Sequence, residues 1–171
     1  MKKINKIIMG KLIKHHPLVK LEFNDKLISK SGEFRIYRNA KLLSPGEWTN
    51  MFSPVPTYYS PTVLSKYATN WSGDIINLDH SRDVLKRLGY IKNPYWDGSS
   101  VRVDLYILSK TQNQKDTIAL IDSKLINWLS AELLSEDSWN NSKNMPESKF
   151  IEFLGVAVVS EPGCSESKIV E

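Results

Sequence analysis

The sequence predicts a mixed α/β fold dominated by β structure: a small barrel of six or seven mostly antiparallel strands, surrounded by a few helices. Three observations lead there. Short apolar runs rich in β-branched and aromatic residues recur along the chain at near-regular spacing. Turn chemistry separates them, as at Ser44-Pro45-Gly46, Asp97-Gly98 and Pro162-Gly163. Only two or three stretches carry a helical period.

In chain order, residues 1–31 are charged and apolar by turns, with a break at His15-His16-Pro17. They form either a basic amino-terminal arm or a first strand over 18–23. From Glu33 the pattern sharpens, because Phe34-Arg35-Ile36-Tyr37-Arg38 alternates apolar and basic residues as a half-buried strand does. Pro45, Pro54, Pro56 and Pro61 exclude a regular helix or central strand over 44–61. An ordered surface loop is expected there, tucking in Trp48, Met51, Phe52, Tyr58 and Tyr59. Ser60-Pro61 reads as an N-cap with proline at the first helical position, opening a helix that reaches Tyr67 or Asn70 with Val63, Leu64 and Tyr67 on one face.

Ile75-Ile76-Asn77-Leu78 is a short strand leading into Asp79-His80. Residues 84–91 give a brief turn and another strand, closed by Asn93-Pro94. Asp97-Gly98 is hairpin chemistry ahead of the alternating strand Val101 to Ile107. A helix over 111–124 carries Ile118, Leu120, Ile121 and Leu125 on its face. Two apolar runs follow, 124–134 and 150–160, which read as neighbouring strands joined by a polar loop over 136–149.

Length and composition suit one ordinary domain, here 32–171 behind the arm 1–31: the 171 residues are 41% hydrophobic and 25% charged, which excludes a disordered chain. No apolar run approaches the roughly 18–20 residues of a membrane helix. Met1 to Met9 lacks a secretory cleavage pattern, so an intracellular protein with no membrane partner is expected. A single cysteine, Cys164, excludes an internal disulfide and any cysteine-based metal cluster. No cofactor or metal is expected. The net charge of +4 is concentrated in Lys2, Lys3, Lys6, Lys11, Lys14 and Lys20, which suits weak contact with nucleic acid; a solvated terminus is the plainer account.

Ser130 interrupts the first of the two apolar runs, and a nucleophilic serine needs a base. Of three histidines, His15 and His16 lie in the arm, while His80 ends an apolar segment where a folded wall can hold it. Neither residue is diagnostic alone, since a serine in a strand is usually structural. Cys164 has no histidine near it in sequence, and adjacent His15 and His16 point apart in a strand. Glu132, Glu136 and Asp137 read as solvated charges rather than a glycosidase pair. Trp71, Trp96, Trp128 and Trp139 suit core packing, or a peptide groove.

The order and spacing of several short stretches carry more. Gly46-Glu47-Trp48, Tyr59-Ser60-Pro61-Thr62-Val63-Leu64, Ile76-Asn77-Leu78-Asp79-His80, Leu88 to Tyr95, Val103-Asp104-Leu105, Trp128-Leu129-Ser130-Ala131-Glu132 and Leu154 to Val159 together resemble the prohead (capsid maturation) protease family of tailed viruses, over roughly 34–169. That family is similar in fold to the herpesvirus assembly proteases. The resemblance implies a serine endopeptidase with Ser130 as nucleophile and His80 as general base, trimming scaffold or capsid protein or both, and often itself, inside the assembling prohead in the host cytoplasm. It leaves self-association into a homo-oligomer open.

The resemblance also implies an acidic third member near the start of the last strand. Alignment back from Pro162 puts that position on Gly155, so Glu152 is preferred, which requires a bulge or a gap; Glu161 and Asp104 are fallbacks, and Asp79 ranks behind them. The backbone N–H of Gly163, or of Cys164, is the implied oxyanion donor, although Pro-Gly also simply ends a strand. The missing acid at Gly155 keeps a second reading open: an inactive scaffold or capsid-assembly protein that retains the fold.

Overall fold

A computed structural model describes residues 13–15, 18–20, 28–50 and 53–159. In order, the strands are β1 (Ile13–His15), β2 (Leu18–Lys20), β3 (Ile28–Ser31), β4 (Phe34–Leu43), β5 (Gly46–Asn50), β6 (Ser53–Tyr59), β7 (Trp71–Leu78), β8 (Arg87–Trp96), β9 (Val101–Leu108), β10 (Trp128–Asn140) and β11 (Met145–Val159). Helix α1 (Pro61–Tyr67) precedes β7, a 3-10 turn (Val84–Lys86) precedes β8, and helix α2 (Gln112–Asp122) precedes β10.

The protein is predominantly β with few helices, as the recurring strand-like runs predict, but the strands are more numerous than six or seven and, among the described residues, the sheet does not close into a barrel. Its order is β1-β10-β11-β7-β8-β9-β4-β3. Strand β2 adds to β10, and the β5–β6 hairpin joins β11. Strands β2 and β10 lie near β4, yet among the described residues no ladder joins them to it. Most pairs are antiparallel; β11 runs parallel to both β7 and β6. The core takes alternate residues from the central strands, among them Ile76, Leu105, Leu129, Leu133, Phe153 and Val156.

Local chemistry sets the helices. Ser60 Oγ accepts from Val63 N–H at 3.2 Å, capping α1 with Pro61 in its first turn, and Leu64 is buried. Thr111 and Gln114 form a reciprocal capping box at the start of α2. The buried face of α2 is Gln114, Thr117, Ile118 and Ile121, so Leu120 points outward and Leu125 lies past the helix end, beyond Lys124 at φ 61°. This corrects the expected face, because positions 114, 117, 118 and 121 share one side of a 3.6-residue period. Asp122 ties α2 to β4 through Arg35 and Tyr37 Oη, the latter at 2.8 Å. Burial, then the bond to Asp122, pushes the Tyr37 hydroxyl well above the usual tyrosine range.

Both expected loops contain strands. Over 44–61 the β5–β6 hairpin forms despite Pro54 and Pro56, because both fall where the register shifts, between the rungs at Ser53 and Thr57. The polar stretch 136–149 is the far end of a long β10–β11 hairpin. There Asp137 accepts from Ser135 Oγ at 2.7 Å and Thr57 Oγ1 at 3.3 Å, so it is not a solvated charge.

Candidate active site

Leu129, Ala131 and Leu133 of β10 enter the core, so Ser130 and Glu132 share the opposite face, two positions apart. The ladder registers fix what lies beside them. Ser130 adjoins Ala157 of β11, which adjoins Asn77 of β7; Glu132 adjoins Gly155, which adjoins Ile75. On this face the middle strand therefore offers only a methyl group and a hydrogen between β10 and β7.

The gap has an occupant. A Cβ on Gly155 would stand 3.5 Å from Glu132 Oε2 and 2.8 Å from Ile75 O, so the glutamate carboxylate comes within reach of the place a larger side chain would fill. His80 approaches from the other side. Strand β7 ends at Leu78, Ser81 N–H donates to Leu78 O at 3.0 Å, and the two residues between, Asp79 and His80, have φ of 50° and 56°. Two consecutive left-handed residues inside such a bond make a tight reversal, and Asp and His enter that region more readily than branched residues do. Asp79 N–H donates to Val158 O at 3.0 Å, which pins the turn to β11.

The reversal brings His80 Nδ1 to 3.0 Å from Glu132 Oε1. Asn77 Nδ2 donates to the other oxygen, Oε2, at 3.5 Å. The His80 and Glu132 side chains are only 19% and 10% exposed, which shields the pair from water. Ser130 is wholly buried, and its Oγ has no hydrogen-bond partner among the described residues. A carboxylate at Nδ1 favours the tautomer that carries its proton there, which leaves Nε2 as the basic nitrogen. The hydroxyl and the carboxylate thus come from β10 and the imidazole from the turn after β7, with β11 between them.

Of the residues singled out in the sequence, Ser130 and His80 lie at this face as described. The carboxylate at the His80 ring is that of Glu132, not Glu152. The bulge that Glu152 required does exist: Phe153 and Val156 both enter the core although three residues apart, with the register shifting between Glu132 and Leu133. Glu152, however, pairs with Leu134, two residues further along the face than Glu132, which is roughly 7 Å away. Asp104 is committed elsewhere, accepting from Asn39 N–H and Asn93 Nδ2, both at 2.9 Å. Asp79 serves through its backbone. Glu161, Gly163 and Cys164 lie outside the described residues, as do the side chains of His15 and His16.

Glu132 was legible in principle. It is not a solvated charge: it is buried, it interrupts an apolar run, and it follows Ser130 by the two-residue period of a strand. A strand assignment for 128–134 already places a carboxylate on the face of the serine.

Among solved structures, the fold is similar to that of a chain described as the bacteriophage T4 capsid assembly protease, gp21. The TM-score is 0.58 at 14% sequence identity, with 88% of this chain and 98% of that chain covered. At that identity the likeness is one of fold, and the resemblance read from the sequence is met at that level. No protein-family model matches the sequence, and no curated protein matches it.

Proposed function

We propose that this protein is a serine endopeptidase of viral prohead maturation, with Ser130 as nucleophile, His80 as general base and Glu132 as the residue that orients the base. The observation that carries the reading is the 3.0 Å contact between His80 Nδ1 and Glu132 Oε1, made from the strand and face that bear Ser130. The fold likeness to a capsid assembly protease supports the choice of substrate.

In this reading Ser130 Oγ attacks a peptide carbonyl as its proton passes to His80 Nε2. Glu132 stabilises the imidazolium so formed and holds the ring in place. The proton then goes to the leaving amine, and water hydrolyses the acyl-enzyme through the same base. Backbone N–H groups at Gly163 or Cys164 receive the developing oxyanion. The substrates are major capsid and scaffold proteins within the assembling prohead in the host cytoplasm, and the chain itself. Self-association into a homo-oligomer, and weak contact of the basic arm with nucleic acid, belong to the same proposal.

The complete burial of Ser130 favours a second reading, an inactive capsid-assembly protein that keeps the fold. One comparison separates the two: the parent chain and Ser130→Ala, each expressed with its capsid and scaffold proteins. Cleavage by the parent that Ser130→Ala abolishes supports the protease. The same products from both, or none from either, sink it.

A further inference from the structure

Leu120 and Leu125, which the helical period of 111–124 assigns to a buried face, stand in solvent, 37% and 74% exposed. Two more large aliphatics share that exposure. Val84 and Leu85, in the 3-10 turn between His80 and β8, are 65% and 73% exposed. Single apolar side chains on a surface are ordinary, but these four are grouped. Asn113 Nδ2 donates to Leu85 O at 3.4 Å, and Leu120 follows Asn113 by about two turns on the same side of α2. Leu125 N–H then donates to Leu120 O at 2.9 Å. Gln114 Nε2 donates to Arg87 O at 3.2 Å, so the turn and the helix present one fixed strip.

The strip is also positively charged. Arg82, Lys86 and Arg87 flank Val84-Leu85, Lys124 adjoins Leu125, and all four cations are exposed. None of them makes an ion pair among the described residues. The acids of the strip, Asp83 and Asp116, are engaged locally: they accept from Leu85 N–H at 2.9 Å and from Gln112 Nε2 at 2.6 Å.

We infer that this strip, from Val84-Leu85 to Leu125, is a docking surface for an acidic segment of another protein that carries aliphatic side chains. Apolar anchors rimmed by unpaired charge suit a partner of opposite sign with apolar side chains of its own. A nucleic acid would use the cations and leave the leucines in water. A second copy meeting strip to strip would bring like charges together. A membrane surface would favour aromatic anchors, and the strip has none. Leu85 lies five residues after His80 and Leu125 five before Ser130, so a partner seated here is held beside the candidate active site. The inference goes beyond the protease reading and holds whether or not the chain cleaves.

The test reads the fluorescence anisotropy of a short labelled peptide of glutamate and leucine, with a peptide of lysine and leucine as its counterpart. The full-length parent is compared with Val84→Ser/Leu85→Ser and with Arg82→Glu/Lys86→Glu/Arg87→Glu, all at exposed positions. Each variant is expected to bind the acidic peptide at least about tenfold more weakly than the parent. The charge-reversed variant is expected to gain affinity for the lysine peptide, which a misfolded chain would not do. Trp139→Ser, an exposed apolar change on the far end of the β10–β11 hairpin, is expected to stay within about twofold of the parent. Equal affinity of the parent and both strip variants, or no binding by the parent, overturns the inference. So does a dimer, or binding to phosphatidylserine vesicles or a DNA oligonucleotide, that the strip variants abolish while the acidic peptide is ignored.

Discussion

Glu132 stands opposite Gly155 in the β10–β11 ladder, and across that glycine its carboxylate reaches His80 Nδ1 at 3.0 Å. One residue supplies the charge, and the other supplies the room. Alignment to the implied family expects an acid at position 155 itself; here the acid is on the neighbouring strand, over the space left open.

Replacing Glu132 with Gln keeps the volume and removes the charge that stabilises a protonated ring. Peptide hydrolysis is expected to fall about 10³- to 10⁴-fold in kcat, with circular dichroism unchanged. Glu152→Gln should stay within about threefold of the parent, since its carboxylate lies further along the strand. Equal losses in the two variants would return Glu152 to the site.

Gly155→Ala tests the space. The new Cβ would meet Ile75 O at 2.8 Å, a backbone atom that cannot swing aside, so β7 and β11 must separate. A stability loss of about 1–3 kcal/mol in urea melts is expected. Hydrolysis per folded molecule should fall as well, because His80 is carried by the turn after β7 and Glu132 reaches it across β11. An unchanged midpoint and rate would show that the strands do not constrain the pair.

Asp104, by contrast, holds backbone. It is buried and bonds Asn39 N–H and Asn93 Nδ2, residues with φ of 55° and 50° at the two places where β4 and β8 slip against β9. Asp104→Ala leaves these donors unpaired, and about 2–3 kcal/mol of stability should be lost in urea melts. Hydrolysis per folded molecule should not change. A matching loss of rate would place Asp104 in the chemistry.

Asp97 sets an acid dependence. Burial works against its ionisation, but Arg102 Nε and the N–H groups of Ser99 and Ser100 outweigh it and hold the carboxyl well below the usual range. Near the ordinary carboxylate pKa of about 3.9 the folded chain therefore binds fewer protons than the unfolded one. Its stabilising contribution is present above about pH 4 and declines as the pH falls below that. Asp97→Asn should have a lower urea midpoint than the parent at pH 7, with the gap narrowing at pH 3. A gap of constant size would remove Asp97 as a source of acid sensitivity.

Much of the framework was readable because it rests on local chemistry. Ser60-Pro61 capped the helix expected of it, Asp97-Gly98 turned a hairpin, and the runs around Ser130 and Val156 paired as their composition implied. What escaped depends on partners remote in sequence. Pro54 and Pro56 argued against a strand, but the rungs to β5 and β11 fall on Ser53 and on Thr57 to Tyr59, on either side of the prolines. Residues 136–149 looked like a polar loop because Asp137 is satisfied by Thr57, far back in the chain. Closure of a barrel depends on whether β10 and β4 share a ladder, which no local pattern records. Glu132 was passed over because a charge in a list of charges reads as solvent-facing until its strand phase is counted.

The ladder between β2 and β10 joins Leu18 to Ser130, more than a hundred residues apart in sequence. A ribosome delivers Ser130 well after Leu18, so β2 must wait for the intervening strands to be made before it can dock. Closing so long a loop is slow and carries a large entropic cost. Every nascent or freshly released copy therefore passes through an interval with the flank of β10 bare, when a neighbouring chain can seat itself there first.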